Sequence, residues 1–146
     1  MTKHNTNPVD TTETEKHATP FSNEELAFFK ALVLEKRLAS LDEIARMREQ
    51  IDDLKEQAQE DSAYSYHMAD AGTDAMEREK VYMMIARQQK YVGYLDRALD
   101  RIEKKVYGIC KVTGAPIAKE RLIAVPHTEI SIAAKRQQKT KTGKRR

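Results

Sequence analysis

Tyr107-Gly-Ile-Cys110-Lys-Val-Thr113-Gly114 decides the reading of this 146-residue chain, together with Pro116-Ile117, Glu120-Arg-Leu122, Val125-Pro126 and Ser131-Ile-Ala-Ala134 behind it. The first turn has the shape of a Cys-x-x-Cys-Gly knuckle, with Thr113 where the second cysteine would stand. Ser131 and Ala134 fall where a second Cys-x-x-Cys pair would be. A tetrahedral zinc site takes four nitrogen or sulfur ligands, and one good ligand, Cys110, is left. His127 lies four residues before Ser131, and adding it to Cys110 still leaves the site short. No cofactor is therefore expected, zinc included. The knuckle should instead hold by packing of Ile109, Val112, Ile117, Leu122, Ile123, Val125, Ile130 and Ile132, extended by Ile102 and Val106. Cys110 itself reads in three ways: a residual ligand, a redox-sensitive thiol, or a small buried hydrophobe. Short strands are expected near Ile117 and over residues 122–125, ended by Pro126.

Upstream, the pattern is helical. Ser22 and Glu25 have capping-box spacing, and Phe21 is placed to staple onto Leu26. Nothing breaks a helix from there to about Glu60. Its apolar stripe is read at Leu34, Leu38, Leu41, Ile44 or Ala45, Met47 or Arg48, Ile51, Leu54 and Ala58. Residues 61–73 change character and read as a loop or a frayed helical turn, with Gly72 the clearest breaker. A second helix is expected from an N-cap at Thr73 or Asp74. Its stripe runs through Val81, Met84 or Ile85, Gln88, Tyr91 or Val92, Leu95, Ala98 or Leu99, Ile102 and Val106. Seven-residue steps at 81, 88, 95 and 102 mark a coiled-coil seam. Two long helices joined by a short loop should fold back on each other.

Charge divides the chain. Residues 106–146 carry a net +8 and residues 1–105 a net −5, within an overall +3. The last eight residues hold five Lys/Arg and no acid. A single cysteine excludes an internal disulfide and suits a reducing compartment. The first twenty residues lack the apolar core of a signal peptide. No apolar run approaches the ~20 residues that cross a bilayer. A cytoplasmic location and no membrane partner are expected.

The hairpin followed at once by Arg101-Ile-Glu-Lys-Lys-Val-Tyr-Gly-Ile-Cys110 resembles the DksA/TraR family of bacterial transcription regulators. Gly114-Ala-Pro-Ile117, Glu120-Arg-Leu122, Val125-Pro126 and His67-Met-Ala-Asp70-Ala-Gly-Thr-Asp74 carry the same likeness over about residues 22–138. The Thr113-to-Ser131 spacing equals that between the inner two cysteines of the family finger. The resemblance implies a non-enzymatic protein that binds RNA polymerase at its secondary channel. The arm would enter that pore and an acidic tip would adjust initiation, often together with guanosine tetraphosphate. It assigns tip roles to Asp70 and Asp74. The family tip has two aspartates three residues apart, followed by an alanine. Here the two are four apart, Ala71 is three before Asp74, and Met76 takes the alanine position.

The expected architecture is mainly α. Residues 1–20 are a disordered tail, and 21–106 an antiparallel coiled-coil hairpin with its tip at 61–74. Residues 107–138 form a small zinc-finger-like end depleted of ligands at Cys110, Thr113, Ser131 and Ala134. Ser131 caps a last helix reaching about Gln138, and 139–146 are a mobile basic tail. Two other functions fit the residues alone: a helical interaction adaptor, and a nucleic-acid module using the basic C-terminal half. Both Asp70 and Asp74 also suit ordinary loop and N-cap positions. Sequence-specific DNA recognition is not expected.

Overall fold

The computed structural model describes residues 18–61 and 68–143, with the side chains of 60, 61 and 68–71 outside the description. The expected disorder of residues 1–17, the loop at 62–67 and the last three residues of the basic tail lie outside the described residues. Four helices follow one another: α1 (Asn23–Asp61), α2 (Met68–Glu103), α3 (Lys119–Ala124) and α4 (Ile132–Gly143). The fold is mainly helical, with α1 and α2 packed antiparallel and a small C-terminal part. The chain divides into an arm, Val33–Arg97, and a head, Met1–Leu32 with Ala98–Arg146.

The capping box forms at the start of α1. The Glu25 amide donates to Ser22 Oγ at 3.2 Å, and the Ser22 amide donates to Glu25 Oε2 at 3.3 Å. These bonds satisfy donors that a helix start leaves without partners. The start of α2 departs from expectation. Helix begins at Met68, so Gly72 and Thr73 are helical, and neither Thr73 nor Asp74 is an N-cap. Gly72 lowers helix propensity by about 1 kcal/mol against Ala, which a 36-residue helix anchored by a seam tolerates.

In the arm, the antiparallel arrangement is visible in the pairing. Arg37 meets Asp96 at 2.7 Å, while further along α1 Ile44, Met47 and Ile51 cluster with Val81 and Ile85 of α2. Val33, Ser40, Ile44, Met47 and Ile51 are buried on α1, facing Val81, Ile85 and Leu95. Leu54 and Ala58 are half-buried and continue the line. The α2 seam follows the expected positions, with Ile85 rather than Met84 inside.

The α1 seam is corrected in its first half. Leu34, Leu38 and Leu41 are exposed, by 45%, 62% and 38%, and Ser40 is buried instead. The cause is phase. Three residues cover about 300°, some 60° short of a turn, so the repeated three-residue steps from Leu38 toward Met47 rotate a stripe off any straight line. Positions 33, 40, 44, 47 and 51 keep steps of three, four and seven, and so remain on one side. That continuous row can bury more apolar surface than three leucines followed by a change of face.

No extended strand forms among the described residues of the head. Its β structure among the described residues is one antiparallel bridge, Ile109 with Pro116. The stretch expected as a strand at 122–125 is instead largely α3, which buries Leu122. Lys119-Glu120-Arg121-Leu122 are good helix formers, and Pro126 follows just after the helix ends. Ser131 caps α4 through the Ala134 amide at 3.2 Å. The helix runs past Gln138 to Gly143, so residues 139–143 are helical rather than a loose tail. Thr140 and Thr142 bond their hydroxyls back to Gln137 and Gln138 carbonyls at 2.8 and 2.7 Å.

The seam assignment separates two substitutions that sequence composition treats alike. Ile44→Ala should cost about 2–4 kcal/mol by loss of buried methyls and residual cavity. Leu38→Ala should stay within about 0.5 kcal/mol. Denaturant unfolding of both variants at one protein concentration checks this, and a reversed order would refute the assigned phase.

Candidate functional site

The head is built around Tyr107, which is wholly buried. Its ring lies 5.2 Å from Phe29 and 6.4 Å from Phe21, centroid to centroid, and Phe21 and Phe29 are 5.1 Å apart. Its hydroxyl donates to the Pro126 carbonyl at 2.8 Å. Burial pushes the phenol above its ordinary pKa, so it stays a donor. Thr19 closes the other side. Its hydroxyl donates to the Tyr107 carbonyl at 2.7 Å and its amide to the Lys105 carbonyl at 2.9 Å. Thr19 therefore belongs to the head, although it lies within the stretch expected as disordered tail. Gly108 sits at φ +85°, and a Cβ there would run into the Phe21 ring. Only glycine suits both the left-handed backbone and that close approach.

The knuckle turn follows. The Cys110 amide donates to Ala115 at 2.9 Å, Gly114 donates back to Cys110 at 2.8 Å, and Ile117 donates to Gly108 at 2.7 Å. Cys110 is fully buried, as are Leu122 and Ala134. The Ser131 amide donates to Cys110 Sγ at 3.3 Å. The Thr113 hydroxyl accepts from the Ala115 amide at 3.3 Å, and that of Ser131 from the Ala134 amide. Each hydroxyl has thus used an acceptor site and can turn its proton to the sulfur. Burial pushes the thiol up, but bonds from the Thr113 and Ser131 hydroxyls and amides outweigh it and bring it down to about 6. The structure therefore joins Cys110, Thr113 and Ser131 around one sulfur, with the Ala134 side chain buried in the same head.

This donor set does not fit zinc. One thiol, two hydroxyls and a methyl group fall short of the four nitrogen or sulfur ligands a closed site requires. Among the described residues no group of three or more His, Cys, Asp and Glu could hold a metal ion.

Charge also braces the head. Arg101 donates to Glu129 at 2.9 Å and to the His127 carbonyl at 3.3 Å, and Lys111 reaches the other Glu129 oxygen at 3.0 Å. Arg121 bonds the Ile130 carbonyl at 3.0 Å and the Thr128 hydroxyl at 3.3 Å. These arginine-to-carbonyl contacts hold the irregular 126–131 segment and were not read from sequence. Each arginine pairs one side-chain acceptor with one backbone carbonyl, and the carbonyls leave no pattern in the sequence.

Asp70 and Asp74 are both on α2, one turn apart, so their helix positions share a face. Asp74 is half-buried in the arm, and the Asp70 side chain lies outside the described residues. Asp70 is the third residue of the helix.

The second helix of a long helical hairpin thus leads into a small knuckle head, with one cysteine left at the four ligand positions of a C4-type finger. The profile of the prokaryotic DksA/TraR C4-type zinc finger matches residues 105–138. The chain is 33% identical over 117 residues to the RNA polymerase-binding transcription factor DksA of Caulobacter vibrioides, covering 79% of this chain and 77% of that one. It is 39% identical over 65 residues to the uncharacterized protein YteA of Bacillus subtilis, and there it spans 27% of the relative's length. Its fold matches the structure of transcription factor DksA2 from Pseudomonas aeruginosa with a TM-score of 0.72 at 25% identity, covering 84% and 89% of the two chains. This chain belongs to the DksA/TraR family, whose transcription factors are non-enzymatic. No helix among the described residues is long and apolar enough to cross a membrane.

The sulfur environment sets a pH signature. A thiol held near 6 against an ordinary 9.0 adds stability that is fully present above pH 9 and lost as pH falls through 6. Ultraviolet thiolate absorbance should titrate with a midpoint near 6, and Ser131→Ala should move it upward. A wild-type midpoint near 9 would contradict the hydrogen-bonded sulfur.

Proposed function

We propose that this protein binds RNA polymerase through its secondary channel and adjusts transcription initiation with the acidic end of its arm. The observation that carries this reading is the identity to the Caulobacter vibrioides factor across most of both chains, helices and head together. The physics of the arm supports it. A hairpin two helices wide is about as thin as a rod can be while still burying a seam, and at 1.5 Å per residue it reaches deep into a narrow pore. Carboxylates near its end, Asp70 and Asp74, can interact with Mg²⁺ or with basic residues along a nucleotide path. Guanosine tetraphosphate is the small-molecule effector this reading proposes, and the cytoplasm its compartment.

Binding and effect should separate on mutation. Wild type and Asp74→Asn should both be retained by core polymerase in a pull-down, and the variant should lose its effect on open-complex lifetime. Failure of the wild type to bind would overturn the proposal. Equal effect of both proteins on the open complex would remove Asp74 from the mechanism.

The same reading includes a head that works without zinc. Packing around Tyr107 and the bonds to Cys110 replace a metal contribution that reaches ~10–16 kcal/mol in small zinc modules. Purified protein should carry far less than one zinc per chain, and a strong chelator should leave its melting temperature unchanged. One tightly held zinc per chain would defeat this part.

A further inference from the structure

The exposed leucines of α1 form a second seam. Leu34, Leu38, Leu41 and Ala45 follow steps of four, three and four, which is the spacing of a coiled-coil contact row. All four are exposed, and Leu38 is 62% so. On the helix the row lies about 120° around from the buried line of Val33, Ser40, Ile44 and Met47. Isolated surface leucines are ordinary, but an unbroken row on a single face is an interaction surface. Arg48 ends the row toward the far end of α1.

Among the described residues the row is left uncovered. Residues 1–17 contain only Met1 and Val9 as large apolar side chains, and 144–146 are Lys-Arg-Arg.

We propose that this face pairs with the same face of a second copy, as a short parallel coiled coil. The register is written in the flanking charges. With Leu38 at position a and Leu41 at d, Arg37 falls at g and Asp42 at e. Parallel pairing sets the g residue of one helix beside the e residue five positions on in its partner, so Arg37 meets Asp42 of the other copy, twice by symmetry. Arg37 uses its Nε–H on Asp96, which leaves the two terminal nitrogens for a second carboxylate. Antiparallel pairing instead sets e against e, which brings Glu35 beside Asp42, two like charges. Leucine at d also suits a parallel dimer. The contact is short, below the ~1,200 Å² typical of stable complexes, so the dimer is weak and concentration-dependent. It does not depend on polymerase binding.

The test uses the full chain. Sedimentation across a wide concentration range should show a reversible monomer–dimer equilibrium that moves toward dimer as concentration rises. Leu38→Glu should raise Kd at least about tenfold, since it sets two carboxylates in an apolar layer. Under mild oxidation, Leu38→Cys alone and Leu41→Cys alone should each form disulfide dimers, because parallel pairing places like positions opposite one another. Cys110, being buried, should stay out of these bonds. Cross-linking only when the two cysteine variants are mixed would show an antiparallel contact and overturn the proposal. So would a wild-type chain that stays monomeric throughout. A monomeric chain whose Leu38→Glu variant loses polymerase binding would assign the face to polymerase instead, and would equally overturn it.

Discussion

The head depends on one buried aromatic ring. Tyr107 is the point where the segment before α1, the first turns of α1, the exit from α2 and the loop after α3 meet. It holds Phe21 and Phe29 by its ring, Pro126 by its hydroxyl and Thr19 through its carbonyl. An aromatic side chain suits this task because it offers a large apolar area with a polar handle at its far end. A four-ligand metal would organise a knuckle from within its turn. Here the same small module is organised from its flank, by packing between residues up to 88 positions apart in sequence. The path of the turn is thus held by contacts outside the turn itself.

The Cys110 surroundings show what becomes of a ligand position when the ligand changes. Threonine and serine keep a polar atom pointing toward the shared sulfur, but as hydrogen-bond donors rather than electron-pair donors. These donors favour negative charge on the sulfur, where a cation site would instead need electron pairs around it. The carboxylates proposed to act, by contrast, belong to the arm, where α2 fixes their spacing at one helical turn.

Much of this was legible in the residues. Ser22 and Glu25 announced the start of α1 because a capping box is local chemistry, and the α2 seam kept one strict period from Val81 to Ile102. The knuckle was legible because Gly108, Gly114 and Pro116 mark specific backbone shapes. The errors arose where two readings were locally equal. Leucines at 34, 38 and 41 have the right spacing for a core, and only the phase of the rows before and after them decides against it. The start of α2 was hidden by Gly72, whose local cost is outweighed by a long helix. Residues 122–125 are apolar and β-branched enough for a strand, yet there is no neighbouring strand to pair with. Arg101 and Arg121 bind carbonyls brought near by the fold, which leaves no trace in sequence spacing.

The last helix bears on how fast this protein meets its partners. Along α4, Lys135, Arg136, Lys139 and Lys141 are displayed with no acidic residue among its 12 positions. Because these residues are helical, their charges keep a fixed spacing and act together on an approaching polyanion. A single-signed surface of this kind speeds encounter with an oppositely charged target more than it prolongs the complex. Its reach is limited by a screening length of about 8 Å at physiological ionic strength. The potential around this helix therefore follows the ionic strength of its surroundings, extending outward in dilute buffer and confined to its own surface in concentrated salt.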